Sequence, residues 1–163
     1  WRDSVFHIRQ AVEECIRTTD GEFLQKPHVR RITEIDETIR DIKMDKDKFK
    51  QVLINLINNA VKFTDHGHVK IEVKKRKSGD IRFSISDTGS GIHKDELEKI
   101  FSKFYQARRD DTQGTKPQGT GLGLSICRDI INHYQGNIWA ESEKGKGSRF
   151  IFELMETEGE IIL

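Results

Sequence analysis

Asn55, Asn59 and Lys62 follow one another at i, i+4 and i+7 inside Gln51–Thr64. At about 100° per residue on a helix, they line one edge of an apolar stripe made by Phe49, Val52, Leu53, Leu56, Ala60 and Phe63. Two amide oxygens and an ammonium in a row suit a hard cation beside an anion. Mg²⁺ favours oxygen ligands and shares them with water and substrate phosphates, and lysine meets phosphate as a point charge. The competing reading is a core helix with a polar flank and a solvated Lys62. Asn is a poor helix former, so two of them one turn apart on a half-buried edge favour a ligand-facing role.

Two further stretches have chemistry in their spacing. Asp87 ends an alternating run, Ile81, Phe83 and Ile85, and parity puts it on their face. A carboxylate held inward is costly unless it is paired. Beside the glycines of Asp87-Thr-Gly89-Ser-Gly91 it could accept a hydrogen bond from an exocyclic amine. Adenine offers one, whereas guanine presents an oxygen there. The alternative is a buried Asp that caps its own loop. Gly119-Thr120-Gly121-Leu122-Gly123-Leu124 runs straight into a helical pattern. Closely spaced glycines there expose backbone N–H groups at the positive helix end, which suits phosphate. It is neither a Rossmann fingerprint nor a P-loop, because the preceding strand, the last glycine and the Gly-Lys-Ser/Thr are missing.

The elements that must position these residues follow from periodicity. Residues 4–8 read as a short strand, 8–18 as a helix and 28–35 as an exposed strand. Residues 36–43 form a polar connector. Asp45 is the expected N-cap of a helix ending near Phe63. Val69, Ile71 and Val73, then Ile81, Phe83 and Ile85, predict an antiparallel hairpin turning at Ser78-Gly79-Asp80. A short helix is expected from His93 through Leu97, Ile100, Phe101 and Phe104. A polar stretch over 106–118 reads as a lid or a disordered loop. Leu124, Cys127, Ile131 and Tyr134 mark the next helix, with Gly136 as its stop. Strands at 137–141 and 149–154 flank a Gly145-Lys-Gly147 turn. This order implies an α+β two-layer sandwich: a mixed, mostly antiparallel sheet with helices on one face.

The chain has 163 residues, enough for one domain with its own core. Its 28 Lys and Arg against 27 Asp and Glu leave a formal charge of +1, which argues against a dedicated nucleic-acid binder. No apolar run reaches the roughly 18–20 residues of a membrane span. Cys15 and Cys127 each sit in a helical pattern and read as reduced core thiols of a cytoplasmic protein. His66-Gly67-His68 reads as a turn rather than a metal pair.

Taken in order, the sets Asn55-x-x-x-Asn59-Ala-x-Lys-Phe-Thr, Asp87-x-Gly89-x-Gly91, Phe101-x-x-Phe104, the polar stretch, Gly119-Thr-Gly-Leu-Gly-Leu124 and Gly145-Lys-Gly-Ser148 form a pattern. From about Phe6 to Leu154 it resembles the catalytic, ATP-binding domain of sensor histidine kinases. That family belongs to the superfamily of gyrase, heat-shock chaperone and mismatch-repair ATPases with the Bergerat-type fold. The resemblance implies one ATP-binding domain over 1–155, with 156–163 as a tail or linker, and ATP and Mg²⁺ as cofactors. Asn59 would ligand Mg²⁺, with Asn55 beside it supporting phosphates or the metal's waters, and Lys62 would contact phosphate. Asp87 would bind the adenine amine, with Gly89, Gly91 and Ile92 lining that wall. Tyr105, anchored by Phe101 and Phe104, would pack near the base. Residues 106–118 would be the lid, and Gly119, Thr120, Gly121, Leu122, Gly123 and Leu124 would cradle the phosphates. Arg108 or Arg109 is a candidate for the γ-phosphate, the alternative being a solvated charge pair.

In hydrolysing relatives the first position of the Asn55 set is typically a glutamate that activates water. Asn55 has no useful basicity, so the site is expected to present a γ-phosphate to a separate nucleophile. In the kinases that nucleophile is a histidine on an upstream dimerisation domain, and a response regulator receiver domain takes the phosphate onward. None of His7, His28, His66, His68, His93 and His133 has the acceptor's flanking sequence. The chain is therefore expected to be monomeric and to bind Mg-ATP without completing autophosphorylation alone. A nucleotide-binding regulator and an ATP hydrolase remain the alternatives. Trp1 and the residues after Leu154 read as edges of a longer protein. The sequence leaves open whether a sensor, membrane segment or receiver domain lies beyond them.

Overall fold

The computed structural model describes residues 1–107 and 119–157. The elements in chain order are β1 (Asp3–His7), α1 (Ile8–Thr18), α2 (Asp20–Leu24), β2 (Val29–Ile35), β3 (Asp41–Asp45) and α3 (Lys46–Lys62). They continue with β4 (Gly67–Lys75), β5 (Asp80–Asp87), α4 (Gly123–His133), β6 (Asn137–Glu143) and β7 (Gly147–Met155). Five strands form one sheet in the order β2-β4-β5-β7-β6. Every neighbour in it is antiparallel except β2 and β4. A separate two-stranded antiparallel ribbon joins β1 to β3.

The alternation read in β4, β5 and β7 sorts residues between two faces. Val69, Ile71, Val73, Ile81, Phe83, Ile85, Phe150, Phe152 and Leu154 are buried with the apolar sides of α1, α3 and α4. Phe83 and Phe152, directly opposite in register, stack at 4.5 Å, and Phe49 of α3 meets Phe83 edge-on at 5.4 Å. Aromatic pairs across adjacent strands add to area burial, so the helix layer is keyed to the sheet at this point. On the opposite face, charges alternate in sign. Lys70 reaches Glu34 and Glu72, and Glu153 receives Arg76 and Arg82.

Asp45 caps α3 as its type predicts, its Oδ1 accepting from the Asp47 and Lys48 amides at 3.1 and 3.2 Å. Bonds from backbone N–H groups, the Arg2 amide first, hold its carboxyl below the usual carboxylate range. The polar connector expected over 36–43 is only partly one. Asp41–Lys43 belong to β3, and Ile39, Ile42 and Met44 are core residues. A five-residue strand with two acidic ends is too short for its alternation to stand out. The helix expected from His93 to Phe104 is a run of turns instead. Its backbone bonds mix i−3 and i−4 spacing, as in Lys99 N–H and Ile100 N–H, both to the Glu96 carbonyl. Phe104 departs from helical geometry altogether, with φ 64°, and its side chain is 73% exposed.

Helix α3 ends next to Phe63 as expected, but one stripe residue and one helix stop differ from the sequence expectation. Phe63 sits one residue past α3 and is 41% exposed, so the apolar stripe stops at Ala60. At the end of α4 the left-handed residue is Gln135, φ 56°, and not Gly136. The Gln135 and Gly136 amides bond to the Asn132 and Ile131 carbonyls, the Schellman arrangement. Gly136 is needed for space, since a Cβ there would stand 2.3 Å from the Glu153 carbonyl oxygen. His66-Gly67-His68 is a turn only in part, because Gly67 and His68 open β4.

Candidate functional site

Helices α3 and α4 run antiparallel, and their contacts fix the geometry between them. At one end the Tyr134 hydroxyl accepts from the Asp45 amide at 2.9 Å and donates to Asp3 at 2.6 Å. Midway, Cys127 Sγ lies 3.8 Å from both the Val52 carbonyl and Asn55 Nδ2. At the far end a Cβ on Gly123 would stand 3.9 Å from the Asn55 amide, and one on Gly119 3.5 Å from Lys62 Nζ. Asn55 and Lys62 of α3 thus face the glycine segment that opens α4. Among the described residues no side chain caps α4 at Leu122, so its first backbone N–H groups can meet an anion at the positive end of the helix. Gly119 and Gly121 have φ 116° and 70°, conformations that favour glycine. The Gly121 carbonyl accepts from the Phe104 amide at 2.9 Å, and the Gly119 carbonyl from Gln106 Nε2 at 2.7 Å.

Asp87 ends β5 facing inward, 8% exposed, as parity predicts. Its Oδ1 accepts from the Gly89 amide at 2.9 Å and the Ser148 amide at 3.3 Å. Burial pushes its carboxyl above the usual range, and the two backbone donors pull it partly back. Among the described residues both donors fall on Oδ1, which leaves Oδ2 as an acceptor. The wall around it is shaped by close backbone approach. A Cβ on Gly89 would stand 2.2 Å from the Phe63 carbonyl oxygen, and one on Gly91 2.3 Å from that of Glu143. Ile92 is half-buried against the core, its amide donating to Ser142 Oγ at 2.7 Å.

Phe101 is buried, edge-on to Phe150 at 6.2 Å. Tyr105 is half-buried and donates its hydroxyl to Glu96 at 2.6 Å. Phe104 does not anchor it through its ring, which faces solvent; the Phe104 backbone bonds to Gly121 instead. Arg108, Arg109 and lid residues 108–118 lie outside the described residues.

The structure joins the two halves of the predicted site through Phe63, whose carbonyl accepts the Ser90 amide at 3.3 Å. Asn55, Lys62, Gly119 and Gly123 form one group; Asp87, Gly89 and Gly91 form the other. Asn59 shares with Lys62 the lining of a polar cavity of about 450 Å³ between α2 and α3. Three contributors were given no role by sequence reasoning. Gly147 brings its backbone so near that a Cβ would stand 2.0 Å from the Asp87 carbonyl oxygen. The Ser148 amide bonds Asp87, and Ser142 and Ser148 pair at 2.9 Å between their hydroxyls. The Gly145-Lys-Gly-Ser148 set carried that signal, but only as part of a pattern.

The sequence pattern of the family described as "Histidine kinase-, DNA gyrase B-, and HSP90-like ATPase" matches residues 44–158. The chain belongs to this family. Among curated members it is 40% identical over 124 residues to the adaptive-response sensory kinase SasA of Synechococcus elongatus, covering 76% of this chain and 31% of that one. The chain therefore spans about a third of the length of that relative. Among solved structures of the family, the nucleotide-free catalytic domain of histidine kinase ThkA superposes with a TM-score of 0.78 at 34% identity, covering 96% of this chain and 97% of that one. Full-length ShkA in complex with AMPPNP gives 0.80 at 28% identity, covering 93% and 30%. ThkA has also been solved in complex with response regulator protein TrrA. The α+β sandwich expected from the sequence is the fold of these kinase catalytic domains.

The residues present fit a magnesium nucleotide. The open N–H groups of α4 and the Lys62 ammonium suit phosphates, and the Asn59 amide supplies an oxygen of the kind Mg²⁺ prefers. Among the described residues no three His, Cys, Asp or Glu side chains gather into a metal cage. A metal here would rest on Asn59, phosphate oxygens and water.

Proposed function

We propose that this domain binds Mg-ATP and presents its γ-phosphate to a histidine on a separate dimerisation domain, as part of a two-component signalling kinase. The observation that carries this reading is the meeting of Asn55 and Lys62 with Gly123 and Gly119, which places an amide and a cation against an uncapped helix start. Asp87 would accept the adenine amine on Oδ2, with Gly89, Gly91 and Ile92 forming the wall and Tyr105 packing near the base. Asn59 would hold Mg²⁺, supported by Asn55. The backbone of Gly119, Thr120, Gly121, Leu122, Gly123 and Leu124 would enclose the phosphates. Bound Mg²⁺ would supply charge neutralisation on the phosphate oxygens.

The chain's own part in transfer is positioning. Lys62 and the α4 amides fix the phosphates in line for an incoming nucleophile. Asn55 stands where hydrolysing relatives carry a base, and an amide cannot take a proton from water. The complex of ThkA with TrrA supports a response regulator as the downstream partner. No helix among the described residues is long and apolar enough to cross a membrane. The test is phosphate transfer in trans. Radiolabelled ATP and a supplied histidine-bearing dimerisation domain should yield acid-labile phosphohistidine on that domain and none on this chain. Label on a histidine of this chain, or rapid phosphate release to water, would overturn the reading.

A further inference from the structure

A second cation reaches the phosphate end of the site from outside the recognised motifs. Lys26 follows α2, and its Nζ donates to the Thr64 carbonyl at 3.0 Å, the Lys62 carbonyl at 3.4 Å and the Asp65 carboxylate at 3.3 Å. These carbonyls lie at and just beyond the end of α3. Lys26 also lines the cavity shared by Asn59 and Lys62.

Electrostatics gives this contact a role. The carbonyl end of a helix carries about half a negative charge, felt within its last turn. Because α3 and α4 are antiparallel, the negative end of α3 and the positive end of α4 meet at the same place, beside Lys62 and Gly119. One end attracts phosphate; the other repels it. Asp65, on the same ammonium, is mostly exposed, so solvent screens its share of the charge. Glu22 is an acidic member of the same cavity lining.

We propose that Lys26 is a positioning residue for phosphate binding: it neutralises the closing carbonyls of α3 and strengthens the hold of Asn59 and Lys62 on the nucleotide's phosphates, leaving the base end untouched. This rests on the Mg-ATP reading of the site. The alternative is a cap that only steadies the helix end.

Calorimetric titration of Mg-ATP and of adenosine into the wild type and three variants separates these roles. Lys26→Met should weaken Mg-ATP binding about threefold and leave adenosine binding unchanged. Lys26→Gln keeps an N–H donor for the Thr64 carbonyl without the charge, and should fall with Lys26→Met. Lys26→Arg should match the wild type. A Gln variant that binds Mg-ATP like the wild type would overturn the proposal, and so would adenosine affinity falling in step with that for Mg-ATP. A wild type that takes up no Mg-ATP would instead end the nucleotide reading itself. Wild-type binding matched by Lys26→Met would remove only Lys26.

Discussion

Phe63 and Gly89 meet where no side chain fits: a Cβ on Gly89 would stand 2.2 Å from the Phe63 carbonyl oxygen and 3.0 Å from Asp87 Oδ1. The end of α3, which carries the row for phosphate, is thereby seated against the loop that carries Asp87. The first prediction concerns this seam. Gly89→Ala must push Phe63 or Asp87 aside, and overpacking of this kind costs about 1–3 kcal/mol. Thermal unfolding should show the loss, and nucleotide affinity should fall with it. An alanine variant with wild-type stability and affinity would mean the seam gives way freely.

Asp87→Asn should separate stability from binding. The Asp87 carboxyl titrates above its usual value because burial penalises its charge. A raised folded-state pKa means the folded protein binds the proton more tightly than the unfolded chain. The resulting cost is absent below the ordinary value of 3.8 and grows as pH rises through the raised one. Asn keeps an acceptor for the Gly89 and Ser148 amides without that charge. The nucleotide-free variant should melt at the same temperature as the wild type or higher at pH 7. Its ATP affinity should drop about tenfold or more, the scale of a lost hydrogen bond to a charged group. Unchanged affinity would make Asp87 a loop cap only.

Asn59→Ala should remove most of the Mg²⁺ dependence of ATP binding. Titrations with and without the metal should then converge in the variant and differ in the wild type. A retained difference would move the metal to another ligand.

Both cysteines should be silent in the native protein. Burial lifts the Cys15 and Cys127 thiols to about 12, so almost no thiolate is present at pH 8. Iodoacetamide should modify neither until denaturant is added. Rapid alkylation of Cys127 would show that the α3–α4 seam opens.

The elements built on strict alternation or long helical periodicity were legible in the sequence. β4, β5, β7 and α3 lie where the pattern puts them, and Asp87 faces inward as parity requires. Local signals failed where tertiary contacts decide. Residues 93–104 have a helical spacing of apolar side chains, yet Glu96 is buried and bonded to Tyr105, and Phe104 turns its backbone toward Gly121. Glycines told a similar story. Gly136 reads as a helix stop, but Gln135 takes the left-handed conformation and Gly136 serves to let β7 approach. Ser148 reaches Asp87 through its amide, and a backbone donor leaves no mark in residue type. Lys26 reads as an ordinary charge until the fold carries it to the end of α3.

Tyr134 pins one end of the α3–α4 pair. Its hydroxyl ties the end of α4 to the start of α3 and to Asp3, and its ionisation is pushed up to about 12 by burial first and by Asp3. The tie therefore persists across any physiological acidity. That tie lies at the opposite end of the helix pair from the place where Lys62 faces Gly119. The helix pair is thus pinned about five helical turns along α3 from Lys62.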